Sequence, residues 1–160
     1  MEQTFDVIIL GGGPGGTAAA RVLAAAGKLV ALIEDNRLGG TCLNVGCIPT
    51  KFWLAATAPS GLLQAHKRFG SVNGELAVDF AALQKRKDRF VKGSSQSLAK
   101  SLQAAGITVI HGRGRCTGSG GVEVEGETRM QLRAGDIILA TGSHSAAFPG
   151  LEPDGAAVLD

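Results

Sequence analysis

Cys42 and Cys47 are the residues of this chain best suited to chemistry. They lie in Gly39-Gly40-Thr41-Cys42-Leu43-Asn44-Val45-Gly46-Cys47-Ile48-Pro49-Thr50-Lys51, with four residues between them. Two thiols that close in sequence can form and break a disulfide. They lie just downstream of a dinucleotide-binding signature, Gly11-x-Gly13-x-x-Gly16. The combination points to electrons passing between a bound cofactor and a dithiol.

The glycine signature gains specificity from its setting, because it follows an apolar strand-like run and opens an Ala-rich helical pattern. Gly11 allows the tight turn, Gly13 lets backbone approach a pyrophosphate, and Gly16 lets helix and strand pack closely. Pro14 and Gly15 complete the turn. The helix start offers N–H groups and the positive end of a dipole to phosphate. A plain glycine-rich turn is the alternative. Glu34 stands at the end of the second strand, 18 residues after Gly16, where an acid accepts hydrogen bonds from a ribose. A surface glutamate is the bland alternative, and Asp35 is the neighbour it could be confused with. Negative charge there repels a 2′-phosphate, so the site is expected to disfavour NADP and to leave NAD or FAD.

The cysteines choose between those two. A thiolate is stabilised at a helix N-terminus and by a nearby cation. Cys47 sits where a helix begins, and Lys51 is about one turn on, along the same face. Cys47 is therefore expected to be the low-pKa thiolate facing a flavin. Cys42, on the preceding loop, is expected to be more open to an incoming thiol. Two buried structural cysteines or half of a metal site are the alternatives. Zinc sites use four ligands and shorter spacing, and His66, His111 and His144 are scattered, so no metal is expected.

These residues need a scaffold to position them. Phe5–Leu10, Leu29–Ile33, Ile107–Ile110 and Ile137–Ala140 read as buried parallel strands. Pro14–Gly27 reads as a helix stopped by glycine. A Gly/Cys loop follows, then a helix over Cys47–Thr57, interrupted near Pro59-Ser60-Gly61 and resuming to His66. Residues 70–78 form a polar loop. Asp79 caps a long helix to about Ala105, with Phe80, Leu83, Lys87, Phe90, Ser94, Leu98 and Leu102 along its inner face. The basic cluster Lys85, Arg86, Lys87, Arg89 and Lys92 is its solvated side. Arg115–Thr117, Val122–Glu125 and Arg129–Leu132 alternate as an antiparallel meander. The tail, Phe148–Asp160, carries no obvious element.

Composition sets the outer bounds. With 44% hydrophobic and 19% charged residues among 160, the chain is globular, with one domain and a core. A net charge of +2 gives no reason to invoke nucleic acid. No apolar run reaches the roughly 18 residues of a membrane span. Glu2 and Asp6 flank the first strand with no basic leader, so no secretory signal is read. Cys116 is left over, which argues against a secreted disulfide framework. A cytoplasmic protein with a redox pair fits better.

The stretch Gly39–Lys51 resembles the active site of the flavin-dependent pyridine nucleotide-disulfide oxidoreductases, and the likeness extends along the chain. Asp6-Val-Ile-Ile-Leu-Gly-Gly-Gly-Pro-Gly-Gly is similar to the family's first FAD strand and turn. Ile137-Ile-Leu-Ala-Thr-Gly-Ser143 is similar to its second FAD motif. His111-Gly-Arg-Gly114 sits where the family's backbone meets adenine. The resemblance implies that Glu34 binds the adenosine ribose. It implies that Gly40, Thr41 and Cys42 line the pyrophosphate and flavin, and that Gly114 touches adenine. Ala140, Thr141 and Gly142 approach the cofactor, and Lys51 lies by the reactive edge of the flavin. Cys47 becomes the charge-transfer thiol and Cys42 the interchange thiol. Leu43, Ile48 and the Cys-Leu-Asn-Val spelling are nearest to the dihydrolipoamide dehydrogenase branch, while Thr50 departs from its usual serine. A parent like glutathione or mercuric reductase is the alternative.

Members of that family are about three times as long and carry further NAD(P)H and dimer domains. Residues 1–160 are therefore expected to be the N-terminal part of a Rossmann-like FAD-binding domain of α/β class. Its parallel sheet should have four strands, the fifth being missing, with helices and a three-stranded antiparallel meander. The missing strand would leave an exposed sheet edge. FAD is expected to be weakly held. NAD(P)H, a small-molecule or protein-bound disulfide substrate and a homodimer belong to the full-length parent. The isolated segment is expected to be inactive, or a dinucleotide-binding module only.

Overall fold

In the computed structural model, residues 3–146 and 148–158 are described. Glu2 of the leader argument and the tail's Leu159 and Asp160 lie outside them. The element order is β1 (Gln3–Leu10), α1 (Pro14–Ala25), β2 (Val30–Glu34), α2 (Gly40–Asn44), α3 (Cys47–Lys67), α4 (Phe80–Ala104), β3 (Thr108–His111), β4 (Arg113–Gly118), β5 (Gly121–Glu125) and β6 (Met130–Leu139).

All the strands share one mixed sheet in the order β3-β2-β1-β6-β5-β4. The four expected parallel strands are there, with β1 pairing β2 and β6, and β2 pairing β3. The meander is not a separate unit. The segments read as Arg129–Leu132 and Ile137–Ala140 are the two halves of one ten-residue strand, β6. Met130–Arg133 pair antiparallel with β5 on one edge, while Leu132–Leu139 run parallel to β1 on the other. The polar stretch that seemed to divide them is tolerated because Arg133, Gly135 and Asp136 are exposed. Strand β5 covers β6 only over Met130–Arg133. Beyond that point no described strand pairs the outer edge of β6, and Leu139 is 68% exposed.

Side chains alternate between the two sheet faces because successive strand residues point oppositely. Val7, Ile9, Val30 and Leu32 meet Ala20 of α1 and Leu102 of α4. Ile8, Leu10, Ala31 and Ile33 meet Val122, Val124 and Leu132 of the meander. Each large side chain fully buried here contributes about 1.5–3 kcal/mol.

The helices depart from expectation at three points. The Gly/Cys loop contains a five-residue helix, α2. Helix α3 runs unbroken over 21 residues with Pro59 inside it. Proline removes one N–H from the ladder, but Ala55 and Pro59 are exposed, so water can serve the freed carbonyl. Helix α4 starts as read, with the Ala82 N–H donating to Asp79 Oδ1 at 2.9 Å. Its inner face holds in part: Leu102 is buried and Leu83, Lys87, Ser94 and Leu98 are half-buried, but Val91 is buried too, while Phe80 and Phe90 are 59% and 51% exposed. Phe90 reaches sideways to Phe52 of α3, with centroids 5.8 Å apart. Lys85, Arg86, Arg89 and Lys92 are solvated as expected, but Lys87 lies over the Trp53 ring at 5.1 Å. Among the described residues no helix is long and apolar enough to cross a membrane.

Candidate active site

The carboxyl ends of β1, β2 and β6 open into one cleft of about 970 Å³. That position follows from the sheet order. Strand β1 has β2 on one side and β6 on the other, so the connections diverge there and leave a crevice. The crevice walls are tied by backbone: Gly11 N–H donates to the Ile33 carbonyl, and Ala140 N–H to the Leu10 carbonyl, both at 2.8 Å.

The turn after β1 is built by its glycines. Gly11 has φ +106°, and a Cβ there would lie 2.1 Å from the Ala140 carbonyl oxygen. A Cβ on Gly16 would lie 1.9 Å from the Gly11 carbonyl oxygen. Gly15 has open space on its Cβ side, and Gly13 meets only the Gly40 Cα at 3.8 Å. Bare backbone at the start of α1 thus faces the cleft, where helix N–H groups lack intrahelical partners. Glu34 Oε2 accepts the Gly12 N–H at 2.7 Å and Oε1 accepts the Asn36 N–H at 2.8 Å. The carboxylate is held at the cleft with its remaining lone pairs available.

Of the residues expected from sequence, Gly13, Pro14, Gly15, Glu34, Gly40, Thr41, Cys42, Cys47, Ala140, Thr141 and Gly142 line this one cleft. Gly11 and Gly16 shape the turn behind it. Lys51 is exposed on α3, one turn past Cys47. Gly114 is half-buried and does not line this cleft; a Cβ there would lie 2.6 Å from Leu10 Cδ2. Its neighbours His111, Gly112 and Arg113 line a second recess of about 800 Å³, which also includes Asp35. Sequence reasoning passed over Asn36, Arg37, Asn44, Val45 and Ser143, which also line the cleft. Their only sequence signal was adjacency to Glu34, the cysteines and Gly142.

The thiols meet across the α2–α3 junction. The Cys42 thiol is pushed up, first by its side-chain hydrogen bond with Cys47, then by desolvation and by the Cys47 charge. The Cys47 amide and the Lys51 cation pull it down. The helix-start amide and the lysine that the sequence assigned to Cys47 thus act on Cys42. Exposure is the reverse of that expected: Cys47 is exposed, and Cys42, inside α2, is half-buried. In the reduced protein Cys42 is therefore expected to alkylate with a pH midpoint above the ordinary thiol range, since its thiolate forms late. Cys47→Ala removes the leading cause and should lower that midpoint. Mass-resolved alkylation against pH measures it, and a midpoint indifferent to Cys47→Ala contradicts the coupling. Among the described residues no cluster of three or more His, Cys, Asp or Glu could hold a metal.

The sequence matches the pyridine nucleotide-disulphide oxidoreductase family over residues 5–159. The chain belongs to that family. It is 42% identical to a dihydrolipoyl dehydrogenase of Chlamydia muridarum over 152 residues, covering 94% of this chain and 32% of the relative. It is 36% identical to the dihydrolipoyl dehydrogenase of Bacillus subtilis, covering 99% of this chain and 36% of the relative. The chain therefore spans about a third of the length of these relatives. Among solved structures, a Cu(II) complex of the HOCl-induced flavoprotein disulfide reductase RclA of Escherichia coli superposes with TM-score 0.77 at 27% identity, over 93% of this chain and 31% of that one. LpdA of Mycobacterium tuberculosis superposes with TM-score 0.82 at 24% identity, over 98% and 35%, and supports the fold.

Proposed function

We propose that the chain is the FAD-binding, redox-dithiol segment of a flavoprotein disulfide oxidoreductase of dihydrolipoamide dehydrogenase type. The observation that carries this reading is the single cleft in which the bare turn Gly13–Gly15, the Glu34 carboxylate and both thiols meet. The ADP half of FAD suits the turn and Glu34. The start of α1, where N–H groups and the helix dipole favour an anion, would hold the pyrophosphate. Glu34 would accept from the ribose hydroxyls. Bound FAD supplies two-electron exchange beside the thiols. This chain's own part is to present Cys47 to the cleft and to hold Cys42 against it. Closing the Cys42–Cys47 disulfide releases two electrons and two protons, and opening it takes them up.

The dihydrolipoyl dehydrogenase relatives favour lipoamide-type dithiols over glutathione or mercuric ion as the parent's substrate. NAD(P)H as the electron partner, a homodimer and a cytoplasmic location belong to the same proposal, as does the view that this chain is one portion of a longer enzyme. No nucleic acid, metal or membrane enters it.

Calorimetric titration with FAD, NAD and NADP tests the cofactor assignment. FAD is expected to bind through its ADP half and NADP at least tenfold more weakly, about 1.4 kcal/mol. Glu34 and Asp35 put two carboxylates where a 2′-phosphate must sit. NADP binding as tightly as FAD overturns the role of Glu34.

A further inference from the structure

The Asn44 side chain lies between the two cysteines in sequence and fastens the wall of the cleft. Its amide nitrogen donates to three backbone carbonyls: Gly40 at 2.9 Å, Leu38 at 3.2 Å and Arg37 at 3.3 Å. An amide carries two N–H donors, so one proton is shared between two carbonyls. Carbonyls can only accept, so the amide cannot turn round without losing all three bonds. In that orientation Oδ1 is buried and has no partner. A buried acceptor left unpaired costs about 1–3 kcal/mol, and such an atom calls for a reason. The reason lies in what the three bonds hold. The loop Arg37–Gly40 leads into α2, which carries Cys42 and ends at Asn44. Its fold is tight, with Gly39 and Gly40 at φ +103° and +56° and the Gly39 N–H tied to the Gly12 carbonyl at 2.8 Å. Asn44 therefore links the nucleotide turn, the cleft wall and the thiol-bearing helix.

We propose that Asn44 is a positioning residue for the dithiol: it locks α2 to the Arg37–Gly40 loop so that Cys42 meets Cys47 at the cleft. This rests on the redox reading of the cysteine pair. The step it governs is exchange with glutathione disulfide. The two protein thiols lose two protons and two electrons as the Cys42–Cys47 bond forms. One glutathione S–S bond breaks and takes them up as two glutathione thiols.

The test measures that equilibrium for the wild-type chain, Asn44→Asp, Asn44→Ala and Asn44→Ser, with folding followed by circular dichroism. Asn44→Asp keeps the shape but has no donor, so it and Asn44→Ala are expected to shift the equilibrium roughly tenfold or more toward the open dithiol, because ring closure depends on held geometry. Asn44→Ser, which can donate one bond, should recover part of the shift. A merely structural role would lower thermal stability and leave the equilibrium unmoved. A folded Asn44→Asp or Asn44→Ala chain with the wild-type equilibrium overturns the proposal. If the wild-type chain fails to exchange at Cys42 and Cys47, the redox reading itself falls. A second measurement needs no variant. In wild-type protein the Asn44 side-chain amide protons are expected to exchange with solvent roughly tenfold or more slowly than those of exposed Asn73. Equal rates overturn the clamp even if every variant unfolds.

Discussion

Gly16→Ala is expected to remove FAD binding from this chain and to lower its thermal stability severely. The added Cβ would lie 1.9 Å from the Gly11 carbonyl oxygen. Contacts under 3.0 Å are relieved only by movement, and here the obstructing atom is backbone. That backbone cannot yield freely, since the Gly11 N–H is bonded to the Ile33 carbonyl at 2.8 Å. Relief means lifting α1 off β1 at the point where the phosphate turn is formed. A steric conflict of this kind belongs among the rare substitutions costing more than about 4 kcal/mol, a factor of about a thousand in binding or folding. Gly15→Ala is the matched control. Its Cβ meets nothing within 4 Å, and alanine is the better helix former by about 1 kcal/mol, so that variant should fold at least as well as wild type. Thermal melts and FAD titration of the two variants decide the matter. A Gly16→Ala chain that melts and binds like wild type contradicts the close-packing role of the turn.

The parts of the molecule legible in sequence are those where one local rule acts alone. The four parallel strands are short apolar runs bounded by glycines, and the sheet needs no more than that to order them. The turn at Gly11–Gly16 and the acid at Glu34 are read from spacing, and the fold brings Gly13, Pro14, Gly15 and Glu34 to one cleft. What escaped the sequence depended on contacts between elements. Pro59 reads as a helix break, yet α3 runs through it where Ala55 and Pro59 face solvent. Arg133–Asp136 reads as a gap between strands, yet β6 passes through because β1 pairs with it across that stretch, from Leu132 to Leu139. The face of α4 was read from spacing that included Phe80 and Phe90, yet those two are exposed while Val91 and Leu102 are buried. Helix α2 has too few residues to show a period, and the Asn44 amide that bonds its first carbonyl is a contact no spacing reveals. Within the site, the cysteines were legible by type and spacing. Their relative exposure was not, because it depends on Cys42 sitting inside a helix.

The other large effect lies in the cysteine pair and is all-or-none. When the chain is handled in air, thiol counting under denaturing conditions is expected to give one free group, Cys116, and three after a mild dithiol. The Cys47 side chain is the leading influence that raises the Cys42 thiol, which sets the two site cysteines side by side across the α2–α3 junction. Closing the disulfide between them removes the charge conflict that raises the Cys42 thiol. Cys116 has no such neighbour among the described cysteines. It is exposed on β4, opposite Val122 at the edge of the sheet, far in the topology from α2. Cys47→Ser should therefore show two free thiols in the monomer both before and after reduction, and Cys42→Ser the same. Cys116→Ser should show none and then two. The pattern separates a redox pair from three independent thiols, since unpaired cysteines would give three groups in the wild-type chain at every stage. Three free thiols in a fully air-exposed wild-type sample would sink the redox-pair reading, and with it the proposed function, while leaving the family and the fold untouched.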